Sequence, residues 1–162
     1  MATAIYPGSF DPITLGHLNI IKRAAQTFDR VVVCVMVNSG KCTPMFTLPE
    51  RVELIKRVVA RFPNVDVDCS GDLLAEYAKK YERPVIVKGL RAISDFESEF
   101  QMALINKKLN GELETCFMAA SEKYTYLSST IVKELGKYGA DLAEFVPVEI
   151  LEDVQKKTKE LR

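Results

Sequence analysis

The sequence predicts an α/β protein, a Rossmann-like three-layer sandwich with a five-stranded parallel sheet. Three observations carry this. Five short β-branched runs, TAIY (3–6), VVVCVMV (31–37), VDVDC (65–69), PVIVKG (84–89) and TCFMA (115–119), alternate with segments of helical periodicity. Parallel strands need a crossover, and a helix between successive strands supplies it, so such alternation means a sheet covered on both faces. No linker, repeat or low-complexity stretch interrupts the pattern. The chain has 162 residues, 48% apolar and 27% charged, which suits one domain over 1–162 that buries roughly two-thirds of its unfolded surface.

The elements follow in order. The first strand leaves through YPGSFDPITLGH (6–17), which spends Pro7, Gly8, Pro12 and Gly16 on one turn. Leu18, Ile21, Ala25 and Phe28 then recur at helical spacing. Thr47-Leu-Pro-Glu50 is a capping box with proline in the first turn, and Val52, Leu54, Ile55, Val58 and Val59 continue that helix. Asp72 is a candidate cap for a third helix running to Tyr81. Ser94-Asp-Phe-Glu97 reads as a second capping box, opening a helix that stops near Asn110-Gly111. Ser128 or Ser129 opens a helix ending near Gly136 or Gly139. Pro147 opens the last helix, whose tail QKKTKELR is polar.

Composition narrows the function. Lys+Arg and Asp+Glu both number 22, so no overall basic field exists for nucleic acid or anionic lipid, and any anion site is local. No apolar run reaches membrane-spanning length and no signal-peptide pattern opens the chain, which predicts a cytoplasmic protein. Cys34, Cys42, Cys69 and Cys116 lie far apart with no C-x-x-C pair. Three sit in apolar runs, which predicts buried thiols rather than disulfides or zinc ligands.

In open parallel sheets ligands bind beyond the carboxyl ends of the strands, where strand order reverses. The loops there hold Gly8-Ser9-Phe10-Asp11 and His17, then Asn38 to Lys41, Ser70 to Leu74, Lys88 to Arg91, and Ser121 to Thr130. Lys41, Lys88, Arg91 and Lys123 thus fall on one edge, among helix N-termini that themselves attract anions. The edge is suited to phosphates. Gly40-Lys41 is not a Walker loop, and G-x-G-x-x-G, H-E-x-x-H and G-x-S-x-G are all absent. His17, the chain's lone histidine, is placed in the first turn of a helix. There the macrodipole disfavours imidazolium, so a neutral N–H donor is predicted. Asp11 reads as a cap of its turn, and Asp95 and Glu97 as residues of a helix start.

Gly8-Ser9-Phe10-Asp11-Pro12 followed by Thr14-Leu15-Gly16-His17 resembles the GxFDPxxxGH element of the nucleotidyltransferase superfamily. Tyr126-Leu-Ser-Ser-Thr-Ile-Val-Lys-Glu134 is similar to its ISSSxxRE-type motif. Pro44-Met-Phe-Thr-Leu48 with Glu50-Arg51, Lys88-Gly-Leu-Arg-Ala92, and Asp95-Phe-Glu97 with Glu99 resemble the bacterial phosphopantetheine adenylyltransferase family over essentially the whole chain. That resemblance implies transfer of AMP from ATP to 4′-phosphopantetheine, giving dephospho-coenzyme A and pyrophosphate. It also implies Mg²⁺, a homohexamer and feedback inhibition by coenzyme A. By the same resemblance His17, Arg91 and Lys41 are catalytic. Ser9, Phe10, His17, Gly89, Leu90, Arg91, Glu99, Tyr124, Thr125, Tyr126, Leu127, Ser128, Ser129 and Thr130 bind ATP. Ser9, Lys41, Leu74 and Lys88 bind phosphopantetheine. Lys88 stands where arginine is frequent in the family, and Ser9 where threonine is common.

The absence of a catalytic carboxylate pair or nucleophile agrees with this chemistry. A phosphate monoester is largely dianionic near neutrality, with a second pKa of about 6, and needs no general base. It needs relief from repulsion and in-line alignment. The alternatives are a nicotinamide mononucleotide adenylyltransferase, a cytidylyltransferase acting on a polyol phosphate, and a non-catalytic nucleotide-binding module. Thr14, where the first often has histidine, argues against it. CTP preference would mark the second, and ATP binding without turnover the third.

Overall fold

The computed structural model describes residues 1–37 and 43–161, with the backbone alone at 93 and 94. Five strands, β1 (Thr3–Gly8), β2 (Arg30–Met36), β3 (Val65–Ser70), β4 (Pro84–Leu90) and β5 (Glu114–Ala119), form one parallel sheet in the order β3-β2-β1-β4-β5. Each lies within two residues of its predicted run. The helices are α1 (Leu15–Thr27), α2 (Leu48–Val59), α3 (Leu74–Tyr77), α4 (Ile93–Leu109), α5 (Ser129–Lys137) and α6 (Leu151–Lys159).

The pleat divides the core. Ala4, Tyr6, Val31, Val33, Val35 and Val87 pack under α1, α2, α5 and α6, while Ile5, Cys34 and Ile86 pack with Ala75, Tyr77 and Leu113 on the other face. Alternate residues point to opposite faces, so each strand serves both layers. Ile21 and Ile55, fully buried on α1 and α2, anchor the first layer; truncating either to alanine would cost about 2–5 kcal/mol.

The sheet also makes the crevice. β1 pairs with β4 only from Thr3↔Pro84 to Ile5↔Ile86. Beyond that point β1 continues along β2 to Gly8↔Val35, and β4 along β5 to Leu90↔Ala119. The two central strands part at their carboxyl ends, where strand order reverses, as the doubly wound topology requires of a ligand site.

Local chemistry explains most helix starts. Thr47 and Glu50 form the predicted capping box, with Pro49 in the first turn. Ser128, not Ser129, caps α5, its hydroxyl accepting from Ile131 N–H at 3.2 Å. Pro147 leads into a short 3₁₀ turn, Val148–Ile150, before α6. Two predicted caps are corrected. Asp72 does not cap α3: its N–H and carboxylate both engage the Ser70 hydroxyl, closing the exit from β3, and the helix yields to 3₁₀ at Ala78. α4 starts one residue before Ser94 with Ala92 as N-cap and no side-chain cap, and Asp95 instead reaches back to Arg91. Among the described cysteines Cys34 is buried, Cys116 partly buried and Cys69 exposed, and all three are free thiols. The expectation of burial fails at Cys69 because β3 is an edge strand. Among the described residues no helix is long and apolar enough to cross a membrane.

Candidate active site

A cleft of about 650 Å³ opens between the parted ends of β1 and β4, under the N-termini of α1, α4 and α5. Its floor is the turn from β1 to α1. Phe10 is buried there with φ 46°, a left-handed conformation unusual for an aromatic residue. Ring contacts hold it, edge-on to Tyr6 at 5.3 Å and to His17 at 5.1 Å. A Cβ on Gly8 would come within 3.0 Å of the Phe10 ring, so glycine makes room for that ring. At Gly16 a Cβ would meet nothing closer than 3.5 Å, so packing alone does not demand glycine beside His17. The peptide between Asp11 and Pro12 is cis.

Thr14 is the N-cap of α1, and its box partner is His17 itself. The Thr14 N–H donates to His17 Nδ1 at 3.0 Å, and the Thr14 hydroxyl lies 3.1 Å from the same nitrogen. An amide can only donate, so Nδ1 accepts and the ring proton resides on Nε2. Burial, and next the positive charge of Arg91, lower the His17 pKa to about 4. The ring is thus the neutral N–H donor that the sequence predicts, its charge state set by burial and Arg91 and its tautomer by Thr14.

Asp11 does more than cap its turn. It is 5% exposed, and its carboxylate accepts from Met45 N–H at 2.9 Å and Phe46 N–H at 2.8 Å. Lys133 Nζ of α5 donates to it at 2.8 Å. One carboxylate therefore ties together three segments that frame the cleft. Arg51, one turn into α2, completes the lock by donating from Nη1 to the Ser9 carbonyl at 2.9 Å.

The other cations are also engaged. Lys88 lies 3.3 Å from Glu99, pairing a predicted acceptor residue with a predicted ATP residue. Arg91 donates from Nε to Asp95 at 3.2 Å and from Nη1 to the Leu127 carbonyl at 2.9 Å, which bridges the exits of β4 and β5. Ser129 donates to the Pro12 carbonyl at 2.7 Å.

Most of the predicted site residues meet in this cleft. Ser9, Phe10, His17, Lys88, Gly89, Arg91 and Glu99 line it, as do Tyr124, Leu127, Ser128, Ser129 and Thr130. Leu90, Thr125, Tyr126 and Leu74 stand outside the lining. Tyr126 packs edge-on against Phe145, the Thr125 hydroxyl donates to the Glu122 carbonyl, and Leu74, at the start of α3, packs against the core cluster that contains Cys34 and Ile86. Lys123, expected on the phosphate edge, instead sits over the Tyr124 ring outside the lining. Lys41 lies outside the described residues. Sequence reasoning assigned no binding role to Arg51, Asp11, Lys133 or Asp95. For Arg51 a signal existed: it falls three, four and seven residues before Leu54, Ile55 and Val58, on the buried stripe of α2.

The residues also bear on a metal. No cluster of three metal-ligating side chains exists among the described residues, and Asp11, Asp95 and Glu99 each hold a cation.

A family profile described as cytidylyltransferase-like matches residues 5–135. A phosphopantetheine adenylyltransferase of Caldanaerobacter subterraneus subsp. tengcongensis is 54% identical over 159 residues, covering 98% of this chain and 99% of that protein. Its namesake in Alkaliphilus metalliredigens is 53% identical, covering 98% of this chain and all of that protein. Among solved structures, a Vibrio parahaemolyticus protein described as a nicotinate-nucleotide adenylyltransferase superposes with a TM-score of 0.69 at 21% identity, covering 94% of this chain and 97% of that one. A bifunctional NMN adenylyltransferase/ADP ribose pyrophosphatase from Francisella tularensis gives 0.68 at 15% identity, covering 98% of this chain and 48% of that one. These two establish the fold, and the near full-length identities establish more. The chain belongs to the phosphopantetheine adenylyltransferase family of cytidylyltransferase-like nucleotidyltransferases.

Proposed function

We propose that this protein transfers the adenylyl group of ATP to 4′-phosphopantetheine, giving dephospho-coenzyme A and pyrophosphate. The observation that carries the chemistry is His17, kept neutral by burial and the charge of Arg91, its tautomer set by Thr14, its Nε2–H unpartnered among the described residues and its ring lining the cleft. The names of the relatives supply the acceptor.

A phosphate oxygen of the acceptor attacks the α-phosphorus, and the bond from that phosphorus to the oxygen bridging to the β-phosphate breaks. Negative charge builds on the α-phosphoryl oxygens and on the departing pyrophosphate. His17 Nε2–H donates to that charge without giving up its proton, and Arg91 lies near enough to depress the histidine's pKa. Preorganised donors of this kind act without reorganising as the reaction proceeds. Lys88 leaves Glu99 for the acceptor phosphate, and Lys41 is the second acceptor cation. When bound, Mg²⁺ neutralises charge on the nucleotide phosphates.

The assembly is a homohexamer in this reading. Phe96, Phe100, Met102, Leu104 and Leu109 of α4 are exposed apolar side chains, which supports a subunit contact there. Coenzyme A shares the acceptor's pantetheine arm, which supports inhibition at the same cleft. The free thiols support a cytoplasmic setting.

The test is pyrophosphate release from ATP and Mg²⁺ with 4′-phosphopantetheine, pantetheine, nicotinamide mononucleotide or glycerol 3-phosphate as acceptor. Release with phosphopantetheine alone, with dephospho-coenzyme A as product, is expected. Release with another acceptor instead would overturn the substrate, and ATP binding without release would overturn the enzyme.

A further inference from the structure

Arg51 is out of place by ordinary rules. An arginine 7% exposed is expected to face a carboxylate, because an ionised group loses its hydration on burial. Arg51 has none among the described residues. Among the described residues its side chain makes one hydrogen bond, from Nη1 to the neutral Ser9 carbonyl, and its buried Nε has no partner. The other described cations of the cleft differ: Lys88, Arg91 and Lys133 each sit against an acid, Glu99, Asp95 and Asp11. The described lining thus carries four cations against three carboxylates, and Arg51 is the excess. Guanidinium cannot discard its proton to escape this, since it stays charged throughout the accessible pH range.

We propose that Arg51 is a stored countercharge, a positioning residue beneath the β1–α1 turn whose missing anion is the phosphate group of the ligand. It acts in two ways on one spot. Through Ser9 it holds the turn that carries Phe10 and His17, and through its charge it draws phosphate oxygens to the exit of β1. An exposed lysine would be screened and mobile. A guanidinium fixed in the low-dielectric wall of a cleft is neither. This rests on reading the cleft as a phosphate site. It extends that reading to a residue on the α2 stripe that touches no other charge among the described residues.

The experiment is calorimetric titration of the full-length protein with inorganic pyrophosphate, with adenosine as the phosphate-free control, in wild type, Arg51→Gln and Arg51→Lys. Glutamine retains an N–H donor for the Ser9 carbonyl without the charge, and lysine retains the charge without the fork. Pyrophosphate affinity is expected to fall by about tenfold or more in Arg51→Gln and to stay within about threefold in Arg51→Lys. Adenosine affinity is expected to be unchanged in both. Thermal midpoints without ligand separate charge from support. Arg51→Gln is expected within about 2 °C of wild type or above it, since it removes a buried charge that nothing balances. Equal pyrophosphate affinity in wild type and Arg51→Gln would overturn the inference and make Arg51 a structural clamp. Wild type blind to pyrophosphate would overturn the phosphate reading of the cleft as a whole. Parallel titrations with ATP and with 4′-phosphopantetheine against pantetheine tell whose phosphate is compensated, by which affinity falls.

Discussion

Thr14 and His17 hold each other at both ends: the Thr14 N–H donates to His17 Nδ1 at 3.0 Å, and the His17 N–H donates to Thr14 Oγ1 at 3.3 Å. A capping box ordinarily uses glutamate or glutamine at its third position. Here histidine fills that place, so the contact that starts α1 also sets the histidine's tautomer. The start of the helix and the orientation of the His17 ring are one feature.

Replacing His17 by asparagine is expected to lower kcat by about 10²–10³, the range for losing one preorganised donor, while the Kd for ATP changes by less than about threefold. Single-turnover rates with parallel nucleotide titration measure both. Equal losses in rate and affinity would place His17 in ground-state binding.

The same histidine links stability to pH. Its folded pKa, about 4, lies below the ordinary value of 6.5, so as pH falls the unfolded chain takes up the proton first. Its contribution is therefore complete above about pH 6.5 and declines as pH falls toward 4. Urea unfolding from pH 7 to 4.5 is expected to show a shallower decline in His17→Asn than in wild type. An identical slope would mean that the imidazole titrates normally in the folded protein.

Asp11 and Lys133 are unequal partners. Asp11 is buried and holds two backbone N–H groups besides the lysine, whereas the Lys133 side chain is about one-third exposed. Asp11→Asn is expected to destabilise by about 2–4 kcal/mol, because two amides and a cation lose their charged acceptor. Lys133→Met is expected to cost about 1 kcal/mol, since solvent already shares that charge. Denaturant midpoints decide the order, and a larger loss at Lys133 would contradict it.

Gly136 gives a change that acts on folding alone. It is buried inside α5, and a Cβ there would lie 2.6 Å from the Thr158 side chain of α6. Gly136→Ala is expected to destabilise by about 1–3 kcal/mol through overpacking. It should leave kcat per folded molecule unchanged, since neither residue lines the cleft. Thermal unfolding and active-site titration check the two halves of this statement.

Short-range rules make the strands, the Thr47 box, a helix start at Ser128 or Ser129 and the α/β class legible in the sequence. Each depends on residues a few positions apart, whose propensities and spacings are written directly in the chain. Helix position predicts a neutral His17, but burial and the charge of Arg91, which local spacing does not encode, are what lower its pKa. The two failed caps show the limit. At Asp72 the carboxylate accepts from the Ser70 hydroxyl instead of capping α3, and α4 begins a residue before Ser94 with Asp95 accepting from Arg91. Lys123 is placed by loop order alone, which says nothing of where a long side chain lies.

What the sequence by itself determined, then, was the class of fold, the edge of the sheet that carries the chemistry, and most of the residues gathered there. What only the tertiary structure decided was which charges face one another. Asp11 meets Lys133 across 122 positions of chain, and Arg51 reaches Ser9 across 42. Such pairings depend on distance in space and on burial, because Coulomb attraction and the cost of desolvation both scale with surroundings that no local spacing encodes.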